Sequence, residues 1–179
     1  MNKSRPQKLS ISYRAKRALA STSLLALGAA FEIVSKHSAE LVAEIADCED
    51  GYIFSIGVLP DGPAISLKKE GNRIRYLGRG YKDTKLKILF KNMDAAVLVF
   101  IGRMGTHTAT AQHRTILHGN IGEAMIVSRA MNIVETYIYP GFILKNTMKR
   151  PPKLTPAQLL LKVWVMATLG ISMLVNVSK

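Results

Sequence analysis

A chain of 179 residues that is 48% apolar can bury one sizeable core, and its single cysteine, Cys48, rules out an intrachain disulfide. One cysteine suits a reducing compartment, so a cytoplasmic location is expected, with association at the membrane periphery left open. The net charge of +13 is uneven: Met1 to Phe31 and Thr136 to Lys179 each carry six basic residues and no acid, whereas the segment between them holds thirteen basic and twelve acidic residues. Such ends attract an anionic membrane surface or nucleic acid without choosing between them, or simply stay solvated.

The first dozen residues are polar and basic, and a loose N-terminus is expected over 1–12. One or two helices should follow from about Tyr13 to Asp47. Ser21, Gly28, Glu32, Lys36 and Glu40 recur at helical spacing on one side, leaving Leu24, Leu27, Phe31, Val34 and Leu41 on the others. The uncharged stretch Ala18 to Phe31 after Arg14, Lys16 and Arg17 has the outline of a signal sequence. Its polar stripe, however, continues unbroken into the following helix, as a core helix would. Tyr52 to Val58 alternates as a strand, and Pro60-Asp61-Gly62-Pro63 turns the chain. Two further strands are expected at Ala64 to Lys69 and Arg73 to Leu77, joined by the hairpin Glu70-Gly71-Asn72. The fourth strand, Thr84 to Phe90, puts Leu86, Ile88 and Phe90 on one face. A sheet with one apolar and one basic face results.

Asn92 is a suitable N-cap, Asp94 suits a first helical turn and Gly102 a left-handed stop, so AAVLVFI should form a buried helix. A short helix over Thr106 to Gln112 and a fifth strand from Arg114 to His118 come next. Asn120 with Glu123 has capping-box spacing and should open a long helix reaching about Tyr139, where Pro140-Gly141 bends or ends it. Lys149-Arg150-Pro151-Pro152-Lys153 reads as a stiff basic linker. The tail from Ala157 to Val177 has the length of a membrane span. Gln158, Lys162, Thr168, Ser172 and Asn176 nevertheless gather in one arc of its helical wheel. A narrow polar stripe on a broad apolar helix suits docking on protein or lying in a bilayer interface better than crossing it.

No convergent set of nucleophile, base and metal ligand is visible, and an enzyme is not expected. His107, His113 and His118 lack zinc-site spacing, and no carboxylate lies between Ala95 and Gly122, so no metal site is assigned. Gly78-Arg79-Gly80 is too short for a dinucleotide fingerprint, no serine elbow occurs, and no cofactor is implied. Arg73, Arg75, Lys85 and Lys87 point away from the apolar side of the sheet. They could meet lipid headgroups, carrier phosphates or nucleic acid, or be a solvated face. Only Tyr76 and Tyr81 offer stacking among them, so nucleic acid is not the expected partner.

The order strand, helix ending in Gly102-Arg103-Met104, small helix, strand, Gly119-Asn120-Ile121, and a last helix with Ala124-Met125 resembles the sterol-carrier-protein-2 family. The likeness spans roughly Ala39 to Tyr139. It implies an α+β domain: a five-stranded, mostly antiparallel sheet with helices covering one face, and an apolar tunnel for an acyl chain or sterol between them. On that reading residues 13–150 form the lipid-binding domain, with extra apolar helices at the N-terminus and, after the linker, within 151–179. The family usually has Pro, Phe and Gly where Thr106, Thr110 and His113 stand here, so Thr110 should open or polarise one corner of the tunnel.

Held methylenes contribute about 0.8 kcal/mol each, so an acyl chain needs no catalytic group to be retained. Residues expected to line such a tunnel are Phe90, Val97, Phe100, Ile101, Met104, Leu117, Met125 and Met131. The same side chains would serve equally as core. The expected function is therefore non-catalytic binding or transfer of a lipid or fatty-acid-like ligand. The rival is an interaction module whose own C-terminal helix fills the groove or mediates homo-oligomer or membrane association; nucleic-acid binding by the basic sheet face is weaker.

Overall fold

The computed structural model describes residues 10–148, 152 and 154–177, the stretch 169–177 as helical backbone alone. In chain order the elements are α1 (Ile11–His37), α2 (Ala39–Glu44), β1 (Ile53–Val58), β2 (Ala64–Glu70), β3 (Arg73–Arg79), β4 (Leu86–Phe90), α3 (Met93–Phe100), α4 (Thr106–Ala111), β5 (Thr115–His118), α5 (Ile121–Ile138), α6 (Gly141–Thr147) and α7 (Pro156–Val177). The first nine residues, most of the Lys149–Lys153 linker, and the side chains of Ser172 and Asn176 lie outside the described residues.

The five strands form one sheet in the order β3-β2-β1-β4-β5. Neighbours run antiparallel except β1 and β4, which are parallel with Phe54 opposite Leu86 and Val58 opposite Phe90. A parallel neighbour cannot be reached by a tight turn, so the chain must travel back from edge strand β3 to the far side of β1. It does so as a strap over the outer face, and two buried serines hold the strap. Ser66 Oγ donates to the Gly80 carbonyl at 2.8 Å and accepts from the Lys82 amide at 3.0 Å, which leaves Ser55 Oγ to donate to it across 2.7 Å. Part of the face expected to be bare and basic is thus covered. Two of its outward cations are also engaged, Lys85 with Glu49 at 2.7 Å and Arg75 with Glu70 at 3.5 Å.

The inner face is apolar and sealed by α1. Leu24, Leu27, Phe31 and Val34 are buried against Phe54, Ile56, Leu67, Ile74 and Leu86, and the Phe31 and Phe54 rings meet edge-to-face at 5.9 Å. The polar stripe of α1 also has a structural task. β3 is an edge strand whose free amides need partners. The Ile74 amide donates to Ser35 Oγ at 3.0 Å and the Tyr76 amide to Glu32 Oε2 at 3.3 Å. Partial burial alone would raise the Glu32 carboxyl; the bonds from Lys36 and the Tyr76 amide outweigh it and hold it below its ordinary range.

Several local signals act as their residue types demand. Asn92 accepts the Ala95 amide at 2.8 Å, and Gly102 takes the left-handed conformation at φ 70° that ends α3. Asn120 caps α5 by accepting the Gly122 and Glu123 amides. The Glu123 side chain does not complete a capping box; it accepts the Tyr52 hydroxyl at 2.7 Å and so ties α5 to the start of β1. Pro140 does end α5, but the chain winds again at once into α6, burying Leu144 and Thr147. Helix α3 is buried on one side only, since Val97, Leu98 and Phe100 stay half-buried. Helix α7 rests on α1 and α5 with Val165 fully buried, Leu161 packed against the same core, and Trp164 edge-on to His37 at 5.2 Å.

Because Ser35 is buried and serves an edge amide, Ser35→Ala should destabilise the protein by about 1–3 kcal/mol. The measurement is the urea-unfolding midpoint. An exposed control, Ser12→Ala, should leave it in place.

Candidate ligand groove

Helix α5 is a wall with different rooms on its two sides. Asn132, Ile133, Thr136 and Tyr137 form one face at helical spacing; Met131, Glu135 and Ile138 form another. Beyond the first face lies a groove of about 570 Å³ lined by these four residues with Glu40, His107, Thr108, Thr147, Met148, Pro152 and Leu154. That volume falls within the ~300–1,000 Å³ of ordinary small-molecule sites.

Each wall of the groove has a local cause. Gly105 lies against the end of α6: a Cβ there would collide with the Thr147 carbonyl oxygen, so only glycine lets α4 and α6 close up. Ile133, Tyr137, Met148 and Leu154 supply apolar surface. Glu40, His107 and Asn132 supply the polar rim, where the Asn132 amide meets His107 Nε2 at 2.7 Å. Thr136 and Thr147 turn their hydroxyls onto carbonyls of their own helices, Asn132 for the former and Ile143 and Leu144 for the latter. Both hydroxyls are therefore already engaged where these residues line the groove. An oily floor under a few hydrogen-bonding groups matches an amphiphile better than a fully polar solute.

On the other side of α5, beneath α1 and α3, is a hollow of about 120 Å³ lined by Ser23, Ala26, Leu27, Val99, Phe100, Met131, Glu135, Ile138 and Tyr139. No strand residue lines it, and it is below the ~300 Å³ at which ligand sites usually begin. Helix α1 and the rings of Phe31, Phe54 and Phe90 occupy the adjoining space under the sheet. Glu135 is buried at the edge of the hollow, accepting the Thr106 hydroxyl at 2.9 Å. Burial pushes its carboxyl up to about 7, against the smaller opposing effect of the Thr106 bond. Tyr139 donates to the Phe100 carbonyl at 3.0 Å, and burial, then the neighbouring Glu135 charge, raises its hydroxyl above its ordinary value.

The residues nominated from sequence scatter. Phe90 is core, edge-to-face with Phe100 at 5.3 Å. Phe100 and Met131 line the small hollow. Val97 and Met104 are half-buried against the core, while Ile101, Leu117 and Met125 are exposed. None of the eight lines the large groove. Thr110 is exposed, donating to the Thr106 carbonyl and accepting from Thr115 Oγ1 at 3.2 Å. The groove depends on α6 and on Pro152 and Leu154, a helix and a linker that sequence reasoning left out of any site. The sequence signal there is slight: one threonine on each helix, Thr136 on α5 and Thr147 at the end of α6, beside apolar residues.

No protein-family model and no curated protein matches the chain. Solved structures do. A ubiquinone synthesis protein, UbiJ-SCP2, is 13% identical with a TM-score of 0.41, covering 72% of this chain and 97% of its own. A conserved hypothetical protein of Thermus thermophilus, described as possibly a sterol carrier protein, is 19% identical with a TM-score of 0.41, covering 65% and 81%. The sterol carrier protein domain 2 of Helicoverpa armigera is 15% identical with a TM-score of 0.40, covering 78% and 99%. The likeness is to sterol carrier proteins. The strand order and the helices on the inner face are this chain's own and make it an α+β protein with a five-stranded mixed sheet.

Glu135 gives the fold a pH signature. Its folded-state pKa lies above the unfolded one, so its contribution is complete below about 4.5 and is lost as pH climbs to about 7. Unfolding free energy should fall across that window, and Glu135→Gln should flatten the fall. Chemical denaturation at stepped pH measures it.

Proposed function

We propose that the protein binds, without chemical turnover, a small amphiphile with an apolar tail, and that the site is the groove between α2, α4, α5, α6, Pro152 and Leu154. The observation that carries the reading is the groove itself: about 570 Å³, with an apolar floor of Ile133, Tyr137, Met148 and Leu154 beneath a polar rim of Glu40, His107 and Asn132. The sequence likeness to sterol carriers supports the lipid-like class of ligand. A tail of eight methylenes held on such a floor contributes roughly 6 kcal/mol before ordering costs, enough for micromolar retention with a few rim hydrogen bonds. The rim also gives the ligand a direction, with its head toward Glu40 and His107 and its tail toward Met148 and Leu154.

Titration with a fluorescent fatty acid or fatty alcohol tests this. Saturable binding is expected, weakened at least roughly tenfold by Ile133→Glu, which puts a charge on the floor. Ala26→Leu, which fills the small hollow on the other side of α5, should leave binding unchanged. The reverse pattern would move the site to the hollow between α1, α3 and α5 and overturn the assignment.

A further inference from the structure

Helix α7 is built inside out. Its polar residues Gln158 and Lys162 are half-buried on the side that carries Leu161 and Val165, the side turned to α1 and α5. Its outward face is Leu159, Leu160, Val163, Trp164, Met166 and Ala167, with Leu160 73% and Val163 66% exposed. A surface helix ordinarily turns its charged side to water. Contiguous exposed apolar side chains of this kind mark a surface with a partner.

We propose that this face lies in the plane of an anionic lipid bilayer, its apolar side chains immersed at the headgroup boundary. Charge selects the partner. From Thr136 to Lys179 there are six basic residues and no acid, with Lys149, Arg150 and Lys153 immediately ahead of the helix. Two copies of this chain meeting through α7 would bring two such segments together and repel. An anionic surface attracts both the segment and the +13 of the whole molecule. Trp164 has the amphipathic ring favoured at a membrane–water boundary. Crossing the bilayer would strip Gln158 and Lys162 from the protein and carry them into hydrocarbon, whereas lying in the interface leaves the inward side docked.

The chain carries its own probe, because Trp164 is its one tryptophan. The full chain is mixed with vesicles of phosphatidylcholine alone or of phosphatidylcholine with phosphatidylglycerol, and read by co-sedimentation and by Trp164 emission. Expected are a blue shift and protection from a water-soluble quencher with anionic vesicles. Partitioning should be at least ~10-fold stronger than to neutral vesicles and should be lost in high salt. The double substitution Leu160→Glu with Val163→Glu should lower partitioning by roughly a hundredfold. Both positions are exposed, so circular dichroism and the thermal midpoint of the variant should match the parent; the salt and quencher readouts on the unsubstituted chain stand whether or not they do. Four results would each overturn the proposal: no vesicle binding, equal binding to neutral and anionic vesicles, resistance to alkaline carbonate extraction, or a concentration-dependent dimer in which vesicles leave Trp164 unaltered.

Discussion

The burial of α1 across the inner face of the sheet is the contact on which the other elements depend. One helix of 27 residues touches β2, β3, α2, α3, α5 and α7, and its Leu24, Phe31 and Val34 have no exposure. It is apolar and long enough to cross a membrane, yet half of its most apolar stretch is inside the protein. Beneath α1 and α3 the space left beside α5 is about 120 Å³, whereas the groove on the other side of α5 is about 570 Å³.

Helix α5 therefore has a double role that its sequence half discloses. Its period of apolar residues, Ala124, Val127, Ala130, Met131 and Val134, faces the core as the pattern demands. Asn132 and Thr136, with Ile133 and Tyr137 between and beside them, make a second face of mixed polarity. Glu135 and Thr136 are neighbours in the chain but serve the hollow and the groove respectively. A carboxylate on the dry side and a hydroxyl bonded to its own helix on the other is an arrangement no periodicity reports.

Much of the fold was legible because its signals are local. Strand alternation in Phe54-Ser55-Ile56, the Asn92 and Asn120 caps and the Gly102 stop each depend on residues within a turn or two. What sequence missed depends on residues far apart. Ser35 reads as one more polar residue until edge strand β3 presents its Ile74 amide, 39 positions away. Ser55 and Ser66 read as ordinary strand residues until the Gly80–Lys82 strap lies across them. The eight residues nominated from sequence lie apart for a related reason. Apolar residues on β4, α3, β5 and α5 look alike whether they line a cavity, fill a core or lie at the surface, and only burial in the folded chain separates Phe90 from the exposed Met125.

The strap also constrains the order in which the sheet can assemble. β1, β2 and β3 form a meander from neighbouring residues, but the second side of β1 waits for β4, which arrives only after the chain has recrossed the serines. Until then the central strand of the finished sheet is an edge, with Phe54, Ile56 and Val58 beside a row of unmet amides. A nascent chain halted near Arg79 would display that row to any other extended segment. The most sheltered strand of the native protein is thus the one whose exposure during synthesis carries the greatest hazard of mispairing.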